Sequence, residues 1–225
     1  TSWSEPAYWQ MGLFADDWSA HWIGSAEMES QSVGGRPVDN KMFDPWFRKT
    51  FTLTESLKEA LIYVASIGYH ELYVNGCKIG NAVLAPSVTD HKSRARYVTY
   101  DISHYLKKGE NVIALWLGTS WAVFPAYQRN DKPAIPMALA QASGSKVRVI
   151  TDGSWKTHAS PNVLMGYWDA HHFAGEFYDA SLEINGWNEA GFDDSEWAEA
   201  KVYQPQIMVS ADKAESNLLM DEIKP

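Results

Sequence analysis

The sequence is poor in cysteine, in positive charge and in long apolar runs. Cys77 is its one cysteine, so the chain cannot form an internal disulfide. Lys and Arg total 19 against 28 Asp and Glu, which gives a formal net charge of -9. Because binding to nucleic acid or to an anionic membrane surface needs a positive field, both are poor candidate partners. The unbroken apolar runs, such as residues 112–117, are far shorter than the roughly 20 residues of a membrane span.

Several signatures of catalysis are also missing. The chain contains no glycine-rich phosphate loop ending in Lys, no His-Glu-x-x-His zinc helix, no Gly-x-Ser-x-Gly elbow and no Cys-x-x-Cys pair. It also has no long segment with the 3.6-residue apolar period of an amphipathic helix. We therefore name no catalytic residue from motifs, and we do not expect a mainly helical fold.

Aromatic residues, by contrast, are abundant, with 11 Trp and 11 Tyr. Aromatic side chains favour β-structure. Their flat faces also suit the C–H faces of a pyranose, so such a composition is typical of sugar-binding surfaces as well as of a large core. For any single Trp we expect a place in the core more often than a place in a sugar site.

Short strands separated by turns dominate the rest of the pattern. Asn75-Gly76, between two strand-like runs, is the strongest short hairpin signal in the chain. This loop pairs Val74 with Cys77 and predicts that Cys77 is a small core residue. The apolar run 112–117 predicts a strand at the centre of a sheet. The whole pattern indicates an all-β fold, a β-sandwich with short helical turns.

One pair of carboxylates is a candidate for chemistry. Glycoside hydrolysis usually needs two carboxyl groups on opposite sides of a cleft. Glu176 and Asp179 are only three residues apart, so they straddle a sugar only if the backbone folds sharply. The other reading is a turn, in which Asp179 binds nearby backbone amides and Glu176 pairs with a base. A self-contained glycoside hydrolase that uses these two carboxylates is therefore the alternative function.

Eight short motifs follow one another along the chain. They occupy residues 18–24, 47–51, 68–76, 84–90, 97–101, 109–111, 175–180 and 186–187. In this order and spacing the chain resembles the N-terminal region of bacterial α-L-rhamnosidases. The chain departs from the family pattern at Ser181, where the family carries an arginine, and in the segment 118–121.

The resemblance implies a jelly-roll β-sandwich of the galactose-binding-domain type. It divides the chain into an N-terminal lead over residues 1–45, a sandwich over 46–205 and a C-terminal tail over 206–225 that leads toward a catalytic domain. In that family the reaction occurs in a separate α/α barrel of the same chain, so the resemblance implies a non-catalytic module with no catalytic residues. Its partners would be that barrel and a rhamnose-containing glycan, and such bacterial enzymes are often exported.

Some relatives of this module bind L-rhamnose through calcium, which the resemblance makes a possible cofactor here. Calcium needs hard oxygen ligands gathered from neighbouring loops. The candidate ligands are Asn81, Asn130 and Asp131. The alternative for Asn130-Asp131 is a simple turn before Pro133.

The same resemblance leaves two roles for the module, sugar binding and support of the barrel. A sugar-binding module carries aromatic side chains beside Asn or Asp, and the candidates are Trp121, Phe124, Tyr127 and Asn130. A supporting module would instead present a flat apolar patch for the barrel to cover. A protein-interaction sandwich unrelated to sugar is the third reading.

Overall fold

The computed structural model of the protein describes residues 3–7, 9, 11–33, 36–37, 41–123, 135–144, 147–166, 175–221 and 223. Over these ranges nearly all regular structure is extended strand, and the helical segments are 3-10 turns of three to six residues. In the same ranges, no helix is long and apolar enough to cross a lipid bilayer. The predicted all-β fold is confirmed.

The strands follow one another with short connections. The first nine are β1 (Trp22–Gly24), β2 (Ser32–Val33), β3 (Arg36–Pro37), β4 (Lys41–Leu53), β5 (Ala60–Ile67), β6 (Tyr69–Val74), β7 (Cys77–Lys78), β8 (Ala82–Val83) and β9 (Arg94–Asp101). The others are β10 (Gly109–Gly118), β11 (Met137–Gly144), β12 (Arg148–Ile150), β13 (Lys156–Met165), β14 (Gly175–Tyr178), β15 (Ala198–Glu199), β16 (Lys201–Tyr203), β17 (Met208–Ala211) and β18 (Asn217–Leu218).

Two sheets of seven strands form the sandwich. The first sheet has the order β16-β1-β11-β5-β9-β17, with β12 paired to β11. The second has the order β14-β13-β4-β10-β6-β7, with β15 paired to β13. Strand β17 runs parallel to β9, and every other pairing between the described strands is antiparallel. Strand β8 pairs with β18 beside the sandwich.

The central strand of the second sheet shows how the sequence separates core from outer face. Successive side chains of a strand point to opposite faces. In β10, Ile113, Leu115 and Leu117 are fully buried in the cluster that joins the two sheets. Ala114 and Trp116 therefore lie on the outer face of the second sheet, which the first sheet does not cover. This outer face carries the candidate site.

The predicted hairpin forms, but its cysteine is not in the core. Val74 pairs with Cys77, and the Ile79 amide donates to the Leu72 carbonyl at 2.8 Å, as the Asn-Gly loop predicts. Val74 is buried, whereas Cys77 is exposed. The prediction of a buried Cys77 is wrong because β7 is a two-residue edge strand, and at this edge the cysteine is left uncovered.

Candidate functional site

The outer face of the second sheet carries a row of directly paired residues. Trp116 on β10 lies opposite Glu71 on β6 and opposite Trp46 on β4. Residues directly opposite in neighbouring strands share a face and lie close enough to interact. Trp116 thus stands between a carboxylate on one side and a second indole on the other.

The indole side of this row is closed by a cluster of stacked aromatic rings. The Trp46 ring stacks on Trp187 with centroids 4.4 Å apart, and lies parallel to Trp197 at 6.2 Å. Trp187 and Trp197 belong to the segment that follows β14, and all three rings are buried. Phe192 meets the Trp197 ring edge-on at 5.7 Å. This segment, residues 179–197, is called the aromatic cover.

A buried arginine anchors the aromatic cover to the sheet. The Arg48 side chain is fully buried on β4 and forms an ion pair with Asp194. The same guanidinium donates to the Glu189 carbonyl at 3.0 Å and to the Phe192 carbonyl at 3.4 Å. One side chain therefore satisfies several acceptors of the cover, which has little regular structure of its own.

The carboxylate side of the row opens into a cavity of about 240 Å³. It is called the outer-face cleft, and its lining includes the aromatic rings of a tyrosine and a tryptophan, three carboxylates and one side-chain amide. These residues are Tyr69, Trp116, Asp44, Glu71, Glu176 and Asn162. Gly118 also lines the cleft, opposite Tyr69 on the neighbouring strand. Cavities that combine aromatic faces with a few convergent polar groups are typical small-molecule sites.

Asp44 is the buried polar residue behind the cleft. Its side chain receives a hydrogen bond from the Thr119 amide at 2.6 Å and another from the Asn162 side-chain amide at 2.5 Å. Burial raises the pKa of the Asp44 carboxyl to about 6, and the nearby Glu176 charge adds to the rise. Asp44 is only 1% exposed, so it fixes the position of Asn162 rather than reaching a ligand itself.

The raised pKa of Asp44 predicts a pH dependence of stability. The folded state holds the proton up to about pH 6, whereas the unfolded state releases it near 3.8. The contribution of Asp44 to the free energy of unfolding therefore falls as pH rises from about 4 to about 6, by a total on the order of 3 kcal/mol. Urea denaturation of the native chain and of Asp44→Asn over this pH range measures the effect. The free energy of unfolding of the native chain should fall relative to that of the variant as the pH rises.

An opposite control is available for this titration. The Asp101 carboxyl accepts hydrogen bonds from the Ser103 hydroxyl and amide, which hold the pKa of Asp101 below its usual range. The free energy of unfolding of the native chain should therefore fall relative to that of Asp101→Asn as the pH falls. A difference between the native chain and Asp44→Asn that does not change with pH would contradict the assignment.

The other two carboxylates of the cleft are less buried. Glu71 accepts a hydrogen bond from the Tyr73 hydroxyl at 2.5 Å and forms an ion pair with Lys78. Glu176 is exposed on β14, the edge strand of the sheet. At the rim, Leu84 is 59% exposed and has a φ of 55°, a backbone conformation that a leucine rarely adopts. Strained residues of this kind cluster at ligand sites.

The sequence-predicted carboxylate pair is not brought together. Glu176 lines the cleft, but Asp179 does not. The Asp179 carboxylate instead accepts the Ser181 amide at 3.0 Å and the Ser181 hydroxyl at 2.6 Å. This is the turn arrangement that was the other reading of the motif, and it commits Asp179 to the start of a 3-10 turn.

Most of the sequence-predicted sugar and calcium residues lie outside the described part of the chain. The backbone of Trp121 belongs to the 3-10 turn Ser120–Val123, and its side chain lies outside the described part of the structure. Phe124, Tyr127, Asn130 and Asp131 lie outside the described residues. Those residues remain predictions.

Asn81 is the one predicted calcium ligand within the described ranges. It is exposed, and its carbonyl accepts the Leu219 amide at 2.9 Å. No group of three or more His, Cys, Asp or Glu side chains in the described part of the chain is arranged to hold a metal ion. The calcium site therefore also remains a prediction.

Of the six cleft residues named above, sequence analysis missed all but Glu176, namely Asp44, Tyr69, Glu71, Trp116 and Asn162. The sequence did carry a signal for Trp116. This residue alternates with the inward-pointing Leu115 and Leu117, so the two-residue period of a strand places its indole on the outer face. Asp44 carried no such signal. Its environment depends on Thr119 and Asn162, which are far away along the chain.

Comparison with known proteins gives a consistent result. A family profile described as "Alpha-L-rhamnosidase N-terminal domain" matches residues 55–221. An "Alpha-L-rhamnosidase" of Formosa agariphila is 30% identical over 92% of this chain and 24% of its own length. An "Alpha-L-rhamnosidase" of Alteromonas sp. is 30% identical over 88% of this chain and 22% of its own length. The chain thus spans about a quarter of the length of these curated relatives.

Solved structures agree with the sequence comparison. An alpha-L-rhamnosidase from Dictyoglumus thermophilum is similar with a TM-score of 0.70 and 30% identity, over 88% of this chain and 22% of that one. The Streptomyces avermitilis alpha-L-rhamnosidase, crystallised in complex with L-rhamnose, is similar with a TM-score of 0.65 and 26% identity, over 75% of this chain and 17% of that one.

Proposed function

The chain belongs to the family of alpha-L-rhamnosidase N-terminal domains, and from this membership we propose that it is a non-catalytic sandwich module that binds a rhamnose-containing glycan in the outer-face cleft. The longer protein would hydrolyse terminal α-L-rhamnose in a catalytic barrel beyond this module. A similar protein was crystallised with L-rhamnose, which supports the choice of sugar.

The observation that carries the proposal is the position of Trp116 beside three polar side chains. A pyranose has apolar C–H faces and a rim of hydroxyl groups, so it needs an aromatic ring and several hydrogen-bond partners together. Trp116 is half-buried and lines the cleft with Glu71, Asn162 and Glu176. Carboxylates accept hydrogen bonds from hydroxyls, and an amide side chain can both donate and accept.

Hydrolysis by the cleft itself is less well supported. A glycosidase needs a carboxyl group that can reach the leaving oxygen and a second one across the sugar. Of the cleft carboxylates, Asp44 is 1% exposed with hydrogen bonds to both of its oxygens. Glu71 is bonded to the Tyr73 hydroxyl and paired with Lys78. Among the described residues, this leaves Glu176 as the one carboxylate of the cleft without such a partner pair. Asp179 lies outside the cleft. We expect no turnover of a p-nitrophenyl α-L-rhamnoside by the purified chain. Turnover that disappears in Glu176→Gln would establish the hydrolase instead.

Binding in the cleft predicts a large effect of removing the Trp116 indole. In isothermal titration calorimetry with methyl α-L-rhamnoside, Trp116→Ala should weaken affinity at least about tenfold, which corresponds to 1.4 kcal/mol. The reason is the loss of both the stacking face and the apolar area that the sugar would cover.

Trp9→Ala is the matched control, since Trp9 is 82% exposed and does not line the cleft. It should bind like the native chain. Equal affinity of the native chain and Trp116→Ala would place the sugar elsewhere, and no heat with the native chain would remove the binding function.

A second function, support of the catalytic barrel, is favoured by an apolar edge. Phe177 is 57% exposed on β14, Leu182 is 58% exposed just after it, and Met165 is 37% exposed on the neighbouring strand. Exposed apolar patches mark docking surfaces. Hydroxyl-radical footprinting should show these side chains protected when the module is joined to a catalytic domain, and accessible when it is alone. Equal accessibility in the two would exclude this edge as the contact.

A further inference from the structure

A second cavity lies on the other side of Trp116. It has a volume of about 200 Å³ and is formed between the outer face of the second sheet and the aromatic cover. Its lining includes the aromatic residues Trp46 and Trp187 and the asparagines Asn185 and Asn188. It is called the cover cavity.

The two cavities have Trp116 as a common wall. The strand register explains this placement, because Trp116 is paired with Glu71 on one side and with Trp46 on the other. Glu71 lines the outer-face cleft, whereas Trp46 lines the cover cavity. The two spaces are therefore neighbours along a line that crosses adjacent strands, with one indole between them.

The cover cavity has the mixed lining that a sugar requires. The Tyr178 ring lies 6.5 Å from the Trp116 ring, and the residue is 45% exposed. The Tyr178 hydroxyl donates a hydrogen bond to the Glu183 carboxylate. Asn185 is exposed and Asn188 is half-buried, so both amides can meet a ligand from solvent. Aromatic faces and amide groups thus recur here as they do in the cleft.

The cover cavity is also built into the fold rather than left to a free loop. The Gly76 amide donates to the Asn188 carbonyl at 2.9 Å, which ties the cover to the β6–β7 hairpin. The Glu189 amide donates to the Gly186 carbonyl at 2.9 Å across a turn in which Gly186 has a φ of 74°. A wall that is held before binding spares the ligand the cost of ordering it.

We propose that the ligand of this face is a glycan of at least two sugar units, with a terminal rhamnose in the outer-face cleft, the next sugar in the cover cavity, and Trp116 between them. This inference rests on the proposed function, because it extends the same site. It assigns Asn185 and Asn188 as contacts for the second sugar only.

The test compares one sugar with two. Calorimetry is carried out with methyl α-L-rhamnoside and with a panel of α-L-rhamnosyl disaccharides that covers each linkage position. At least one disaccharide should bind about tenfold more tightly than the methyl glycoside. Asn185→Ala combined with Asn188→Ala should abolish this gain and leave the affinity for the methyl glycoside unchanged. Melting curves confirm that the variant is folded.

The outcomes distinguish failure of the second subsite from failure of sugar binding in the cleft. If the methyl glycoside binds but no disaccharide binds more tightly, the second subsite is wrong and the cleft stands. If the double variant weakens both ligands equally, the two asparagines do not form a separate subsite, and the inference is again overturned. If neither class of sugar binds, the proposed function fails together with it.

Discussion

Trp46→Ala should lower the free energy of unfolding by about 3–5 kcal/mol, the usual effect of truncating a large buried aromatic residue. The Trp46 ring is 2% exposed and stacks on Trp187 at 4.4 Å. It also meets the Trp116 ring edge-on at 5.8 Å. Its removal therefore leaves a cavity under the aromatic cover and takes away a wall of the cover cavity.

Urea denaturation measures this loss, and near-ultraviolet circular dichroism reports the stacked indoles. Trp3→Ala serves as the control, because Trp3 is 98% exposed and has no part in the stack. We expect the control to match the native chain in both measurements. A loss of less than about 1 kcal/mol in Trp46→Ala would show that the stacked cluster does not hold the cover in place.

Arg48→Met should destabilise the chain by about 3 kcal/mol, through the loss of a buried ion pair and its accompanying hydrogen bonds. This is the lower end for such pairs, because the Asp194 side chain is 25% exposed and can be rehydrated. The carbonyl oxygens of Glu189 and Phe192 lose their donor at the same time. The aromatic cover should therefore loosen from the sheet.

Arg48→Lys tests whether charge alone suffices. A lysine offers a compact charge on a flexible stem, and it cannot reproduce the fork that reaches Asp194 and two carbonyls at once. We expect it to recover only part of the stability measured by urea denaturation. Arg94→Met is the control, since Arg94 is exposed. Full recovery in Arg48→Lys, or an equal loss in Arg94→Met, would contradict the anchoring role.

The predictable parts of the fold are those that local pattern determines. The Asn75-Gly76 loop specifies its own two-residue turn, so the pairing of Val74 with Cys77 follows from neighbouring residues. The apolar run of β10 likewise predicts a central strand, and this strand lies between β4 and β6. Exposure of Cys77 was not predictable in the same way, because it depends on where the opposite sheet ends.

The candidate site was less predictable, because it depends on pairing between distant strands. Trp116 acquires its neighbours from the register of β10 against β4 and β6, which no local motif reveals. The aromatic and amide side chains near Trp121 and Asn130 predict a sugar site there instead. Of the carboxylates chosen from the sequence, Glu176 lies in the cleft, whereas Asp179 forms a local turn with Ser181.

The most direct test of the account is an amide-resolved NMR titration of the chain with methyl α-L-rhamnoside. Binding in the outer-face cleft should move the amide signals of Glu71, Gly118 and Glu176 and the indole signal of Trp116, all of which belong to residues that line the cleft. Movement confined to Asn81 and residues 124–134 would place the sugar at the sugar and calcium residues predicted from the sequence instead. No movement at any of these positions up to millimolar sugar would contradict the binding function itself.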